Sequence, residues 1–326
     1  MDTDERQRSN RIAWLVASVV VLGWGINFVL AKHALNQFSI GTFNFVRFAG
    51  MVALGWATIA ITGQRTPIAR QDRTWLALVA IVGFCGYVFG FSVGLSYTSA
   101  FSASLLLALV PLWVAIFTSV LARKLPPASS LLALGLAAGG TALFVGTRTS
   151  VSLGWGDLIA LVVAALYASY LLLNRRLVNR YAPFTLTTYA ATLAAVPILA
   201  LTAPSLPRQD WAAVSIGGWL AMAWVITGPV FVAWSLWNWV LRHLTPVQVA
   251  PLLFTVPVTS GLAAWIFLDE QIAAGQILGT AAVIAGLVLN QRSPTDQPPQ
   301  DAPQPPTRRA AAHRLNARKG TEARHA

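Results

Sequence analysis

Residues 245–257 read Thr245-Pro-Val-Gln-Val-Ala-Pro-Leu-Leu-Phe-Thr-Val-Pro257, and the apolar run continues to Leu268-Asp-Glu-Gln271 before resuming from Ile272 to Leu289. Three prolines, Pro246, Pro251 and Pro257, punctuate its first part, and the charged pair Asp269-Glu270 divides it. A helix on the surface of a soluble protein shows a polar face every 3.6 residues, and this stretch has none. It reads as two membrane spans joined by a tight acidic turn, the first loosened by proline.

The same pattern occurs 146 residues earlier. Pro111 stands where Pro257 does, Arg123-Lys124 where Asp269-Glu270 does, and Gly140 where Gly286 does. A proline, a charged turn and a glycine in one register point to an internal duplication.

Composition agrees with a membrane chain. Hydrophobic residues make up 56% and charged residues 10%, with a mean hydropathy of +0.62, whereas a soluble domain averages about 25% charged. The single cysteine, Cys85, lies in an apolar run and excludes an intramolecular disulfide. The four histidines are scattered, so no metal centre and no cofactor are expected.

The expected spans, each of roughly 20 residues, are 12–31, 40–62, 74–96, 100–122, 129–147, 155–173, 184–203, 213–240, 246–268 and 272–290. The fold class is thus an all-α membrane protein, with ten transmembrane helices as two five-helix repeats. An odd number of spans per repeat inverts the second repeat relative to the first and puts a shared site near the midplane. The divisions are 1–11 as a cytoplasmic N-terminus, 12–147 and 155–290 as the repeats, and 291–326 as a proline-rich basic tail expected to be disordered. The first run lacks a small-residue cleavage site, so no cleaved signal peptide is expected.

The net charge of +12 is topological information. With the N-terminus inside, Arg6, Arg8, Arg11, Arg65, Arg70, Arg73, Arg123, Lys124, Arg175, Arg176, Arg180 and Arg242 fall on the inner side, and only Lys32, Arg148 and Arg208 on the outer. Both termini are therefore expected in the cytoplasm. The lipid bilayer and a small solute are the expected partners. Nucleic acid is not, because the basic residues form no continuous face. The chain is read as a monomer.

Several residues are candidates for a cavity. Arg47 is the one charge well inside an apolar run, read either as a cavity cation that meets a carboxylate or as a structural donor to neighbouring helix ends. Tyr87 lies deep in the third span, beside Gly86, Gly90 and Gly94, whose spacing lets another helix approach. Tyr97 is a further candidate, with the interfacial aromatic belt as its alternative. Trp24 and Asn27 match Tyr167 and Tyr170 at an offset of 143, so both pairs can face one cavity. Trp234 is a candidate from the eighth span, while Trp237 and Trp239 are assigned to the inner belt. Pro111, Pro257, Gly228 and Pro229 are read as helix breaks or hinges. No Asp or Glu lies in the middle of any span, which suits a solute neutral overall, zwitterions included.

Trp24-Gly25-Ile26-Asn27-Phe28, Trp155-Gly156-Asp157, and Leu241-Arg-His-Leu-Thr-Pro246 leading to Pro257-Val258, Asp269-Glu270-Gln271, Gly279 and Gly286 together resemble the EamA-type members of the ten-helix drug/metabolite transporter superfamily over residues 12–290. Arg123-Lys124 departs from that pattern, where such proteins often keep a glutamate. The resemblance implies an alternating-access transporter of the bacterial inner membrane. The wealth of tryptophan and tyrosine looks like the branch that exports aromatic and other neutral amino acids. A nucleotide-sugar or other metabolite carrier of similar architecture would want more cavity cations than Arg47 supplies. A membrane-embedded transferase would want paired acids or a metal motif, and the sequence has neither. The chain is therefore not expected to be an enzyme.

Overall fold

Apolar sequence with no water to satisfy its backbone forms helix, and the described residues hold no strand. The computed structural model describes residues 3–63, 65–123, 125, 128–146, 154–178, 180–240, 243–244, 252–253 and 255–291, and these belong to one unit, Met1–Arg292. Pro246, Pro251 and the tail lie outside the described residues.

The helices are α1 (Thr3–Leu35), α2 (Ile40–Thr62), α3 (Arg73–Val79), α4 (Gly90–Tyr97), α5 (Ala100–Leu107), α6 (Val110–Ala122) and α7 (Ala128–Gly146). They continue with α8 (Trp155–Val178), α9 (Pro183–Thr202), α10 (Ile216–Thr227), α11 (Ala233–Val240), α12 (Thr255–Leu268) and α13 (Ala274–Gln291). Among the described residues, six stretches are long and apolar enough to cross a bilayer: Arg11–Leu35, Ile40–Thr62, Arg70–Tyr97, Ala100–Ala122, Trp155–Asn174 and Phe184–Arg208. Leu131–Phe144, Ile216–Thr227, Thr255–Leu268 and Ala274–Gly286 are shorter apolar helices.

Local chemistry sets the ends. Ser39, Ser99 and Ser215 cap α2, α5 and α10, each accepting a hydrogen bond from the backbone N–H three residues on. Gly63 closes α2 at φ 64°, in the left-handed region that glycine enters freely. Arg123 and Asp269 end α6 and α12 in that same region, at φ 51° and 52°.

Three stretches are interrupted. A π-helical segment, Ala80–Phe89, joins α3 to α4 and carries Tyr87. A second, Gly228–Val232, joins α10 to α11 where Pro229 has no N–H to give. The chain breaks between α5 and α6 at Ala108–Leu109, which leaves Pro111 in the first turn of α6, where a missing N–H costs nothing.

Helix α8 packs along α4 and the first π segment. An added Cβ on Gly86 would meet Leu166 at 3.1 Å, one on Gly90 Val163 at 3.0 Å, and one on Gly94 Ile159 at 3.1 Å, so the glycine face is where α8 comes close. Helices α7 and α13 form the closest pairing. A Cβ on Gly140 would lie 2.7 Å from the Gly279 carbonyl oxygen, and one on Gly286 2.7 Å from that of Ala133. Partner numbers fall on α13 as they rise on α7, so the two helices run antiparallel.

Candidate functional site

A cavity of about 530 Å³ lies among α1, α2, the first π segment, the α5–α6 break, α8, α9, the second π segment, α11 and α12. That volume suits a metabolite-sized ligand. All three interruptions border it: Gly83, Ala108, Pro111 and Pro229 contribute to its wall.

Eight aromatic residues contribute to the lining. Tyr87 stacks on Tyr167 with ring centroids 4.3 Å apart, and Tyr167 on Tyr170 at 5.9 Å. Trp24 meets Trp237 at 5.1 Å, and its indole N–H points at the Pro229 carbonyl at 3.5 Å, the far limit of a hydrogen bond. Phe28 meets Phe91 edge-on at 5.4 Å.

The polar contribution is small and poorly answered. Arg47 is 4% exposed. Its guanidinium carbon sits 6.0 Å from the Phe43 ring and 5.7 Å from the Phe91 ring, and Nη1 donates to the Val88 carbonyl at 3.4 Å. Its Nε has no partner, nor have Oδ1 of Asn27 and Oδ1 of Asn174. No Asp or Glu is among the lining residues. An arginine within a membrane helix costs about 3 kcal/mol even on lenient scales, and unpaired buried polar atoms add to that. Among the described residues no three His, Cys, Asp or Glu side chains come together to hold a metal.

The EamA-like transporter family model matches residues 11–146 and again 154–291. The chain belongs to that family. EamA-like relatives are transporters rather than enzymes, and this chain is a multi-pass membrane protein. It is 25% identical to an "Uncharacterized transporter YyaM" of Bacillus subtilis, over 83% of this chain and 92% of that protein. It is 23% identical to a "Probable terminal-alkyne amino-acid exporter" of Streptantibioticus cattleyicolor, over 87% of this chain and 94% of that one. A "Probable amino-acid metabolite efflux pump" of Escherichia coli is 22% identical over 85% of this chain and 93% of its own length. A solved crystal structure covers 86% of this chain and 96% of its own, with a TM-score of 0.57 at 20% identity, which shows a shared fold.

In this EamA-like chain, Trp24, Asn27, Arg47, Tyr87, Tyr167, Tyr170, Pro111 and Pro229 all border the one cavity. Tyr97 does not: it ends α4 with 63% of its surface exposed. The correction has a simple cause, since the Tyr97 backbone is pressed against Gly156 on α8 and the ring projects outward. Pro257 is buried in the first turn of α12, away from the cavity wall. Gly228 opens the second π segment against the Trp224 ring. The side chain of Trp234 lies outside the described residues.

Trp237 is the second correction. Assigned to the belt, it lines the cavity against Trp24 instead. Asn174 was not singled out, although Tyr167, Tyr170 and Asn174 fall at the spacing of one helix face. Phe28, Phe91, Ser104 and Thr187 also line the site. Nothing in their local sequence separates them from packing residues.

Proposed function

We propose that the protein exports small neutral or zwitterionic metabolites, aromatic and other neutral amino acids first among them, across a bacterial inner membrane. It works by alternating access between two inverted five-helix repeats, with both termini cytoplasmic. One observation carries the substrate class: the cavity walls are rich in aromatic rings, and among the described lining residues they hold a single guanidinium and no carboxylate. The guanidinium receives the carboxylate of an amino acid, and the rings receive its side chain. The names of the Escherichia coli and Streptantibioticus cattleyicolor relatives support the same class.

Three observations support the inverted repeat. The left-handed helix ends, Arg123 and Asp269, are 146 residues apart. Helix α8 packs on α4 and α6 as α1 packs on α11 and α12. The α7–α13 contacts map onto themselves: Gly140 meets Gly279, and their counterparts Gly286 and Ala133 meet each other. The antiparallel course of that pair is what inversion demands.

A sugar nucleotide would bring two phosphates against one cation, so the observations do not favour that cargo. Counterflow in proteoliposomes tests the reading. Labelled phenylalanine, tryptophan or leucine is expected to exchange against the same unlabelled solute, and silence across a broad panel of neutral amino acids refutes the substrate class.

A further inference from the structure

Among the described cavity-lining residues Arg47 alone is charged, and no described carboxylate pairs with it. We infer that Arg47 anchors a ligand carboxylate and that the ligand's amino group is dispensable, so the protein takes aromatic and apolar monocarboxylates as well as the matching amino acids. This deepens the exporter reading and rests on the cavity being its transport site.

The cation is built for a guest. Its neighbours are already committed: Asn44, one turn earlier on α2, donates to the Ile40 carbonyl at 2.8 Å and accepts from Ser92 at 2.6 Å. The rings of Phe43 and Phe91 lie 6.0 and 5.7 Å from the guanidinium carbon. What remains is a guanidinium whose Nε–H has no partner and whose Nη1 makes a single long bond, to the Val88 carbonyl at 3.4 Å. A carboxylate presents two oxygens to the edge of a guanidinium, where paired N–H groups give two parallel charge-assisted bonds.

The ammonium group of an amino acid finds nothing comparable. The carboxylates nearest the bundle are engaged elsewhere. Asp72 takes Arg180 at 3.0 Å and Tyr181 at 2.9 Å, Asp157 takes Thr98 at 2.6 Å, and Glu270 takes the Ala100 N–H at 2.8 Å. The other polar side chains among the described lining residues, Asn27, Asn174, Ser104, Thr187 and the tyrosines, are neutral. Neutral acceptors receive a hydroxyl or a water as readily as an ammonium, so they do not select for the amine.

Charge balance points the same way. A monocarboxylate neutralises the cavity, and a zwitterion leaves it with the one positive charge it began with. An amine without a carboxylate would confine two cations within about 530 Å³ of low-dielectric space.

Three probes of one shape decide the matter on the full-length wild-type protein: phenylalanine, phenylpropionate, which lacks the amine, and phenethylamine, which lacks the carboxylate. Binding is read by quenching of tryptophan fluorescence, with Trp24 and Trp237 in the wall, and by competition against labelled phenylalanine in counterflow. Phenylpropionate is expected to bind within about tenfold of phenylalanine, and phenethylamine about a hundredfold more weakly or worse. Arg47→Gln is expected to erase the preference for carboxylates, and Arg47→Lys to retain part of it. If phenethylamine competes as well as phenylalanine, or phenylpropionate does not compete, the inference is overturned while amino-acid export stands. If phenylpropionate binds and no amino acid exchanges, the anchor stands and the export reading falls. If none of the three binds, both are overturned.

Discussion

At one end of the bundle the α4–α5 junction, Tyr97-Thr98-Ser99-Ala100, is held from three sides by polar groups. Lys32 on α1 donates to the carbonyls of Leu95 at 2.8 Å, Ser96 at 3.1 Å and Thr98 at 2.8 Å. Glu270, in the turn after α12, accepts from the N–H groups of Ala100 at 2.8 Å and Phe101 at 3.4 Å. Thr98 donates to Asp157 at 2.6 Å. At the other end, the positions 146 residues after Gly94 and Thr98 are Val240 and Leu244. They pack on Ala13 and Ala17, which stand 143 residues before Gly156 and Ala160. The small-residue contact recurs at both ends, but there it is apolar. Trp14 occupies the position of Asp157, and Lys124 that of Glu270.

The difference teaches how one architecture closes two ends with different chemistry. Lys32 sits at a helix C-terminus and Glu270 at a helix N-terminus, so each charge answers the orphan backbone groups and the partial charge of a helix end. Such charges need no ion-pair partner. The Ala13, Ala17, Val240 and Leu244 cluster is held by packing, which has no direction and no response to salt.

The comparison can be broken by substitution. Leu244→Ala should have the largest effect, about 3 kcal/mol of lost stability, because Leu244 is 3% exposed and leaves a cavity behind. Thermal unfolding in detergent should show the loss unchanged between low and high salt. Gly156→Ala should cost about 2 kcal/mol, since its Cβ would lie 2.5 Å from the Tyr97 carbonyl carbon and 2.7 Å from the Thr98 nitrogen. The equivalent exchange at the apolar end, Ala13→Gly, should cost no more than about 1 kcal/mol, and equal losses would undo the contrast. Glu270→Gln should have the smallest effect, about 1 kcal/mol, since one amide oxygen still accepts while the charge is gone. Its signature is salt: the gap between wild type and variant should shrink as ionic strength rises, and a constant gap would mean the charge at the α5 N-terminus does nothing.

Much of the cavity was legible because the chain repeats. Trp24 and Asn27 recur as Tyr167 and Tyr170, and all four line the cavity. Arg47 was legible for another reason, as a charge where the bilayer tolerates few. Trp237, Asn174 and Phe91 were not. A membrane helix can be apolar on its lipid face and its packed face alike, so periodicity does not say which way a ring points. Tyr97 failed for the same reason in the opposite direction.

Sequence by itself determined that the chain is helical and membrane-embedded, where its helices break and which sparse polar residues matter. Water is absent from the bilayer core, so backbone bonding must be local and every proline or charge inside a span leaves a mark. Tertiary structure alone decided that Arg47 has no anionic partner among the described residues, that Trp237 joins Trp24, and that Lys32, Asp157 and Glu270 converge on one junction. Those facts depend on contacts between residues as far apart in the chain as Trp24 and Trp237. They follow from how helices pack, which no local window contains.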